Sequence, residues 1–163
     1  MWPFRQRLPQ TTAQKLRAGT RALVRGDYPS AIRWLHEVVT EQPDEAIALL
    51  NLGAGYHCIE QHSRAVECFE RVLARHPNRP KAWLNLAAAH SALGHLSVAE
   101  AALTKVVELA PHYPDVYYNL AVLKLRQGCV LEALAQLELQ MADNPRHARA
   151  RELVARLRAE VLP

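Results

Sequence analysis

The chain has 163 residues, of which half are hydrophobic and 6% aromatic, and its formal net charge is +4. No apolar run approaches the roughly 18 residues of a membrane-spanning helix, and a charge this small does not by itself indicate a nucleic-acid partner. Ala, Leu, Arg and Glu dominate and no segment alternates with period two, so the composition predicts an all-α fold.

Residues 1–11 are expected to form an N-terminal tail, because two prolines interrupt them before a possible helix cap at Thr11 or Thr12. The opening residues hold no apolar core long enough for a secretory signal peptide. Trp2 and Phe4 stand beside arginines and are able to touch an anionic membrane surface. We do not favour this contact, because so short a tail supplies little binding area.

A period of 34 residues runs through most of the remaining chain. Proline recurs at Pro43, Pro77, Pro111 and Pro145. Alanine recurs at Ala31, Ala65, Ala99 and Ala133, and a small residue recurs at Gly19, Gly53, Ala87 and Ala121. Such a period marks one supersecondary unit repeated in a row. It predicts four units, at 12–45, 46–79, 80–113 and 114–147.

Each unit is predicted to be a hairpin of two antiparallel helices joined by a short turn. In the unit 46–79, apolar residues at three- and four-residue spacing indicate the first helix, and Ser63 is the expected cap of the second. Gly53 and Ala65 are small because the two helix axes must approach closely where they cross. A larger side chain at the crossing would cost about 1–3 kcal/mol.

The turn within the hairpin carries glycine in three units, at Gly26, Gly94 and Gly128. Glycine suits a left-handed residue that closes the first helix. Glu60 holds this position in the second unit, and we expect local strain there.

These features resemble the tetratricopeptide repeat. The residues that match its pattern are Trp83, Leu86, Ala87, Gly94, Ala99 and Pro111. The resemblance covers 12–147 and implies an α-solenoid, a right-handed superhelix of helix hairpins whose first helices line a concave side. His90 and Lys124 replace a favoured Tyr, and Gln140 replaces a small apolar residue. These departures, with Glu60, are expected to affect local packing only.

Residues 148–163 are predicted to form a C-terminal capping helix that covers the last exposed core face. Its apolar residues are Leu153, Val154, Leu157 and Val161. Its region is rich in arginine, at Arg146, Arg149, Arg151, Arg156 and Arg158. We interpret these arginines as a solvated face that complements the helix dipole, in preference to a contact with an acidic partner or a phosphate backbone.

Two rows of side chains are expected on the concave side. The sixth residues of the units are Arg17, Asn51, Asn85 and Asn119, and the residues before them are Leu16, Leu50, Leu84 and Tyr118. An Asn side chain both donates and accepts hydrogen bonds, so a row of amides is able to bind the backbone of an extended peptide. The alternative role of these asparagines is solvation and bonding between repeats.

A carboxylate clamp for chaperone tails, which some members of the family carry, is not expected. Asn51 and Lys81 match its pattern, whereas Leu16, Thr20 and Asn85 stand at its other positions. The predicted groove residues are therefore Leu16, Arg17, Leu50, Asn51, Lys81, Leu84, Asn85, Tyr118 and Asn119.

No catalytic, metal or cofactor site is predicted. His57 and Cys58 are adjacent on a helix and point about 100° apart, and His62 lies past the turn. The other histidines are expected to share no face: His36, His76, His90, His95, His112 and His147. No phosphate loop, GxGxxG motif or Gly-flanked nucleophile is present.

We therefore expect a protein-binding module or adaptor, not an enzyme, that takes a peptide or helix of a partner protein in its groove. Three cysteines without a CxxC pair favour a reducing compartment, and hence the cytoplasm. The alternative is a scaffold that self-associates through the ends of its array. A nucleic-acid binder is less favoured, because only Tyr118 offers a stacking aromatic in the groove. We expect no stable membrane insertion.

Overall fold

The computed structural model describes residues 11–161, and every regular element in that range is a helix. The nine helices are α1 (Thr12–Val24), α2 (Tyr28–Glu41), α3 (Ala46–Cys58), α4 (His62–Arg75), α5 (Pro80–Ala92), α6 (Leu96–Leu109), α7 (Val116–Arg126), α8 (Val130–Asp143) and α9 (Ala148–Val161). The expected all-α fold is confirmed. Trp2, Phe4 and the rest of the expected tail up to residue 10 lie outside the described residues.

The helices fall into two compact units, which we call the N-terminal unit (α1–α4) and the C-terminal unit (α5–α9). Successive helices pair across three-residue turns as α1–α2, α3–α4, α5–α6 and α7–α8. In the N-terminal unit α2 and α1 also pack on α3, and in the C-terminal unit α6 packs on α7 and α8 on α9. Each predicted repeat range contains one helix pair, and the division into four units stays a prediction.

Helix starts agree only partly with expectation. Thr11 caps α1 in a capping box, in which its side chain accepts from the backbone N–H of Gln14 and the Gln14 side chain accepts from the Thr11 N–H. Ser63 does not cap α4: that helix begins at His62, and Gln61 stands at its N-cap with no side-chain hydrogen bond. The prediction for Ser63 was wrong because the turn before α4 is shorter than the sequence suggested.

Each periodic proline stands two residues beyond the end of a second helix. For example, α4 ends at Arg75 and Pro77 follows, and α8 ends at Asp143 and Pro145 follows. The single residue between them still donates its N–H to the last turn, as His76 does to the Val72 carbonyl at 2.8 Å. Proline has no N–H with which to extend this pattern, so it stops the helix.

The turn inside each hairpin closes the first helix with one left-handed residue. In the second pair, the Glu60 N–H donates to the His57 carbonyl and the Gln61 N–H to the Tyr56 carbonyl, which is the Schellman arrangement. The three glycine turns have φ of 77°, 81° and 79°, and Glu60 has φ of 61°. The expected left-handed conformation of Glu60 is therefore confirmed.

We expect Glu60→Gly to raise the free energy of unfolding by about 0.5–1 kcal/mol, because glycine adopts this φ without a Cβ penalty. Urea denaturation followed by circular dichroism measures the change. Gly94→Glu is the matched reverse variant: its φ is 81° and an added Cβ meets nothing within 4 Å, so only backbone strain acts. A loss of stability in Glu60→Gly, or none in Gly94→Glu, would contradict the assignment.

Close helix approach in the N-terminal unit explains its small residues. A Cβ on Gly19 would lie 2.6 Å from Leu35 Cγ and 3.3 Å from the Ala31 carbonyl oxygen. A Cβ on Gly53 would lie 2.6 Å from Cε1 of Phe69, whose side chain is 1% exposed. The predicted need for small residues at the crossings is confirmed at both positions.

In the C-terminal unit, α9 contributes a buried face to a core shared with α7 and α8. Its buried residues are Ala150, Leu153, Val154 and Leu157. They pack in one cluster with Ala121, Ala133 and Leu137. This covering of α7 and α8 is what a terminal helix of a repeat array must supply.

Gln140 on α8, where the repeat pattern favours a small apolar residue, caps α7, the other helix of its own pair. The N-cap residue of α7, Asp115, has φ of 61° and makes no side-chain cap bond to its own helix. The buried Gln140 side chain instead accepts from the Tyr118 N–H at 3.0 Å. Its effect therefore reaches beyond local packing, since it satisfies the first turn of α7.

The Asp115 carboxylate caps nothing on α7 because it turns toward α9. It lies 3.0 Å from Nε2 of His147, whose Nδ1 accepts from the Ala150 N–H at 3.0 Å. Because Nδ1 accepts the Ala150 N–H, it carries no proton. The ring proton is therefore on Nε2, which donates it to Asp115. His147 is thus the N-terminal cap of α9, and Asp115 fixes its tautomer.

Lys124, at a position where the repeat pattern favours Tyr, joins three helices of the C-terminal unit. Its Nζ lies 2.7 Å from a carboxylate oxygen of Glu100 on α6 and 2.7 Å from one of Glu132 on α8. Both contacts favour the charged amine and raise the pKa of Lys124. The departure from Tyr is compensated by this ion network.

Candidate protein-binding surface

The predicted row of polar residues lies on the first helix of each pair. Arg17 on α1 is exposed, and Asn51, Asn85 and Asn119 on α3, α5 and α7 are half-buried. These asparagines are therefore partly accessible to a ligand.

The three asparagines differ in what they already bond. Asn51 Nδ2 donates to Thr20 Oγ1 at 3.0 Å, which ties α3 to α1. For Asn51, the alternative role named above, hydrogen bonding between repeats, is therefore observed. The side chains of Asn85 and Asn119 make no hydrogen bond to any described residue, so their full donor and acceptor capacity faces solvent.

Most side chains of the predicted apolar row pack against other residues of the fold. Leu50 is only 7% exposed and has little surface to offer a partner, so the expectation that it accepts a side chain is not supported. Leu84 is half-buried against the core of α5, α6 and α7, and Leu16 is half-buried on α1. The Tyr118 ring stacks at 5.1 Å on His147 and holds the Arg149 guanidinium at 5.3 Å.

Other apolar side chains on the same helices are exposed instead. Val24 is 83% exposed and Ile47 51%, at the end of α1 and the start of α3. Val122 on α7 is 37% exposed. Val24 and Ile47 were not among the predicted groove residues, although Val24 lies two turns from Arg17 and Ile47 one turn from Asn51. Lys81, which was selected, is exposed on α5.

Two pairs of histidines meet across hairpin turns. His57 and His62 approach with their Nδ1 atoms 3.1 Å apart, and His90 and His95 with theirs 3.3 Å apart. The expectation that His90 and His95 share no face was wrong, because the left-handed turn brings the start of the second helix back beside the end of the first. Among the described residues, no group of three or more His, Cys, Asp or Glu is arranged to hold a metal ion.

Burial lowers the pKa of His57 below its ordinary 6.5, and repulsion from His62 lowers it further. The folded chain therefore binds this proton less tightly than the unfolded chain does. Neutral His57 therefore makes a contribution to the free energy of unfolding that is complete above the unfolded pKa. This contribution is lost as the pH falls from about 6.5 toward the lower folded pKa. We expect the stability of the parent, measured relative to His57→Gln, to fall between pH 7.5 and pH 5. Urea denaturation at both pH values measures it, and a difference independent of pH would contradict the burial of His57.

The cysteines are all free: Cys58 is exposed, Cys129 is half-buried and Cys68 is buried. Burial raises the pKa of the Cys68 thiol to about 11, so it stays protonated and unreactive at neutral pH. Across residues 11–161, no helix is both long and apolar enough to cross a membrane.

Comparison with family models identifies the repeats. Three models described as tetratricopeptide repeat match residues 16–54, 52–118 and 93–157, and together they run from residue 16 to residue 157. The chain carries tetratricopeptide repeats. No curated protein matches the sequence.

Several solved structures share the fold. A MamA protein structure is 24% identical, with a TM-score of 0.80 over 91% of this chain and 81% of its own. TTC0263, described as a thermophilic TPR protein of Thermus thermophilus, is 21% identical with a TM-score of 0.78, over 93% and 84% of the two chains. A chain of the Cut9–Hcn1 hetero-tetramer of APC/C is 20% identical with a TM-score of 0.82, and the match covers 90% of this chain but 30% of that one. The predicted fold class, an α-solenoid of helix hairpins, is confirmed.

Proposed function

We propose that the chain is a noncatalytic binding module of the cytoplasm, whose first helices take an extended peptide or a helix of a partner protein. The half-buried amides of Asn85 and Asn119 carry the proposal. Both stand at the same position of successive first helices, and neither has a hydrogen-bond partner within residues 11–161. A partner's backbone supplies the N–H and C=O groups that such amides bind.

The surroundings of these amides support a protein ligand. In the C-terminal unit, Leu84 precedes Asn85 and is half-buried, and Val122 is exposed on α7 with Asn119. The first helices of the N-terminal unit, taken by themselves, have the same composition: Leu16 is half-buried next to Arg17, and Val24 and Ile47 are exposed. A polar row flanked by apolar side chains is the composition of a peptide-binding surface, in which polar groups fix orientation and apolar groups contribute affinity.

Selection from a displayed library of random peptides supplies the ligand for the test. Fluorescence anisotropy with the selected, labelled peptide then compares the parent chain with Asn85→Ala and Asn119→Ala. We expect each change to weaken binding by about 1–3 kcal/mol, because it leaves backbone groups of the bound peptide unpaired. Asn51→Ala should matter less, since Asn51 already bonds Thr20.

Asn78→Ala is the matched control, because Asn78 is exposed in the turn before α5. Circular dichroism must show unchanged helix content in all variants, which is expected because alanine favours helix. If the selected peptide binds Asn85→Ala and Asn119→Ala as tightly as it binds the parent, the polar row is not the binding surface.

Self-association through the array ends, the alternative function, has less support. The helix at one end, α1, carries Lys and Arg and no acidic residue, and the helix at the other, α9, carries more Arg than Glu. End-to-end contacts would bring like charges together. Light scattering at several concentrations measures this, and a mass that grows with concentration would favour the scaffold over the binding module.

A further inference from the structure

The acidic residues of the chain avoid the first helices completely. Sixteen residues of the chain are Asp or Glu, and none lies on α1, α3, α5 or α7. The second helix of every pair carries at least two: Glu37 and Glu41 on α2, Glu67 and Glu70 on α4, Glu100 and Glu108 on α6, and Glu132, Glu138 and Asp143 on α8. In each unit, the first helices therefore carry no negative side chain.

In the N-terminal unit, cations on other surfaces already have partners. Lys15 pairs with Glu37 at 2.9 Å and also with Glu41, and Arg75 pairs with Asp44 at 3.0 Å. Arg71 donates to the Pro43 carbonyl. Outside α1 and its C-cap, the other two arginines in the described part of this unit lie over aromatic rings, Arg33 over Trp34 and Arg64 over Tyr56.

The arginines of α1 and its C-cap are the exception. Within the described part of this unit, Arg17, Arg21 and Arg25 make no ion pair or side-chain hydrogen bond, and all three are exposed. They recur at four-residue spacing, so they follow one side of the helix, where like charges repel. The helix dipole favours Arg21 and Arg25 near the C-terminal end, but it does not favour Arg17 at mid-helix.

Apolar surface lies beside these charges. Val24 stands next to Arg25 and one turn from Arg21, and Ile47 is half exposed on α3, which packs on α1. Arg17 itself takes the position that asparagine holds on α3, α5 and α7. Within the N-terminal unit, this position thus changes from an amide on α3 to a guanidinium on α1.

We infer that the partner is an acidic peptide segment with interspersed apolar residues, and that its Asp and Glu side chains pair with Arg17 and Arg21. The inference rests on the proposed function and names its ligand class. Guanidinium groups bind carboxylates bidentately, and here no competing carboxylate stands on the same helices. Nucleic acid fits less well, because two or three free arginines neutralise few phosphates and the exposed side chains of α1 and α3 include no aromatic ring for stacking.

The experiment extends the peptide selection with a charge comparison. Peptides selected on the parent chain should be enriched in Asp and Glu over the starting library. The labelled peptide, made with an amidated C-terminus, should bind about fivefold more weakly to the double variant Arg17→Gln, Arg21→Gln at low salt, and added salt should shrink this difference. Arg151→Gln, Arg156→Gln on α9 is the matched control, since both arginines are exposed and are expected to leave binding unchanged.

The outcomes separate the two claims. Selected peptides that lack acidic enrichment, or that bind the α1 double variant as tightly as the parent, overturn the acidic partner; if their binding still depends on Asn85, the proposed surface stands. Peptides whose affinity is unchanged both by Asn85→Ala and by the α1 double variant overturn the proposed function. Failure to select any peptide overturns both. A labelled oligouridine that binds more tightly than the acidic peptide, and that loses its affinity in the α1 double variant, would assign the arginines to nucleic acid instead.

Discussion

Replacing Phe69 by alanine is expected to lower the free energy of unfolding by about 3–5 kcal/mol, the largest single effect among these predictions. The Phe69 side chain is 1% exposed, and its ring fills the space that Gly53 leaves where α3 meets α4. Alanine removes the buried ring, and the facing glycine has no side chain with which to fill the cavity. Urea denaturation monitored by circular dichroism measures the loss, and a change below about 1 kcal/mol would contradict the assigned packing.

A second substitution tests whether Gly53 and Phe69 act as a pair. In the parent, Gly53→Ala should destabilise, because three ring atoms of Phe69 would lie between 2.6 and 3.0 Å from the new Cβ. In the Phe69→Ala background the same change should stabilise, since the clash is gone and alanine favours helix. This reversal of sign is the control: equal effects in the two backgrounds would show that the residues do not touch.

Replacing Gln140 by alanine is expected to cost about 2–4 kcal/mol, the second largest effect. The side chain is 2% exposed and accepts from the Tyr118 N–H, so its loss opens a cavity and leaves a helix N-terminus without its cap. Denaturation gives the total, and amide exchange at Tyr118 should quicken. Unchanged exchange at Tyr118 would show that Gln140 does not cap α7.

Gln140→Met separates the two parts of this cost. Methionine keeps most of the volume but has only a weak acceptor, so we expect a loss of about 1–2 kcal/mol from the missing cap. Glu138→Ala on the exposed face of the same helix should change stability little, because its contact with Arg158 is a surface pair.

Much of the fold follows from local rules, and these were predictable. The proline after each second helix and the left-handed residue in each hairpin turn act within a few residues of chain, so a period of 34 locates them. Even the left-handed conformation of Glu60 was predictable, since the equivalent positions of the other three hairpins are glycines. Capping was less so: α4 begins one residue before Ser63 and uses no side-chain cap.

The features that sequence reasoning missed are contacts between distant residues. Gln140 lies 22 residues from Tyr118, and His147 lies 32 residues from Asp115. Neither contact leaves a periodic signal, because each occurs at one repeat only. The left-handed φ of Asp115 was missed for the same reason.

For the candidate surface, the sequence located the helices and the polar row, but not the accessibility of each side chain. A helical wheel gives the direction of Leu50, whereas its burial depends on how closely the neighbouring elements cover it. The helical wheel is equally consistent with Ile47 as a groove residue, and its side chain is half exposed. The absence of acidic residues from four helices was visible in the sequence and became meaningful only once the helix bounds were known.

Hydrogen exchange of the chain with and without the selected peptide tests the central claim most directly, because it reports every helix at once. We expect slower amide exchange on peptide binding in the first helices, above all in α5 and α7 around Asn85 and Asn119, with α4, α6 and α8 unchanged on their outward faces. The Asn85→Ala, Asn119→Ala double variant should lose this protection. Protection confined to the second helices or to α9 would contradict the account, since the partner would then bind a surface that the amides do not reach.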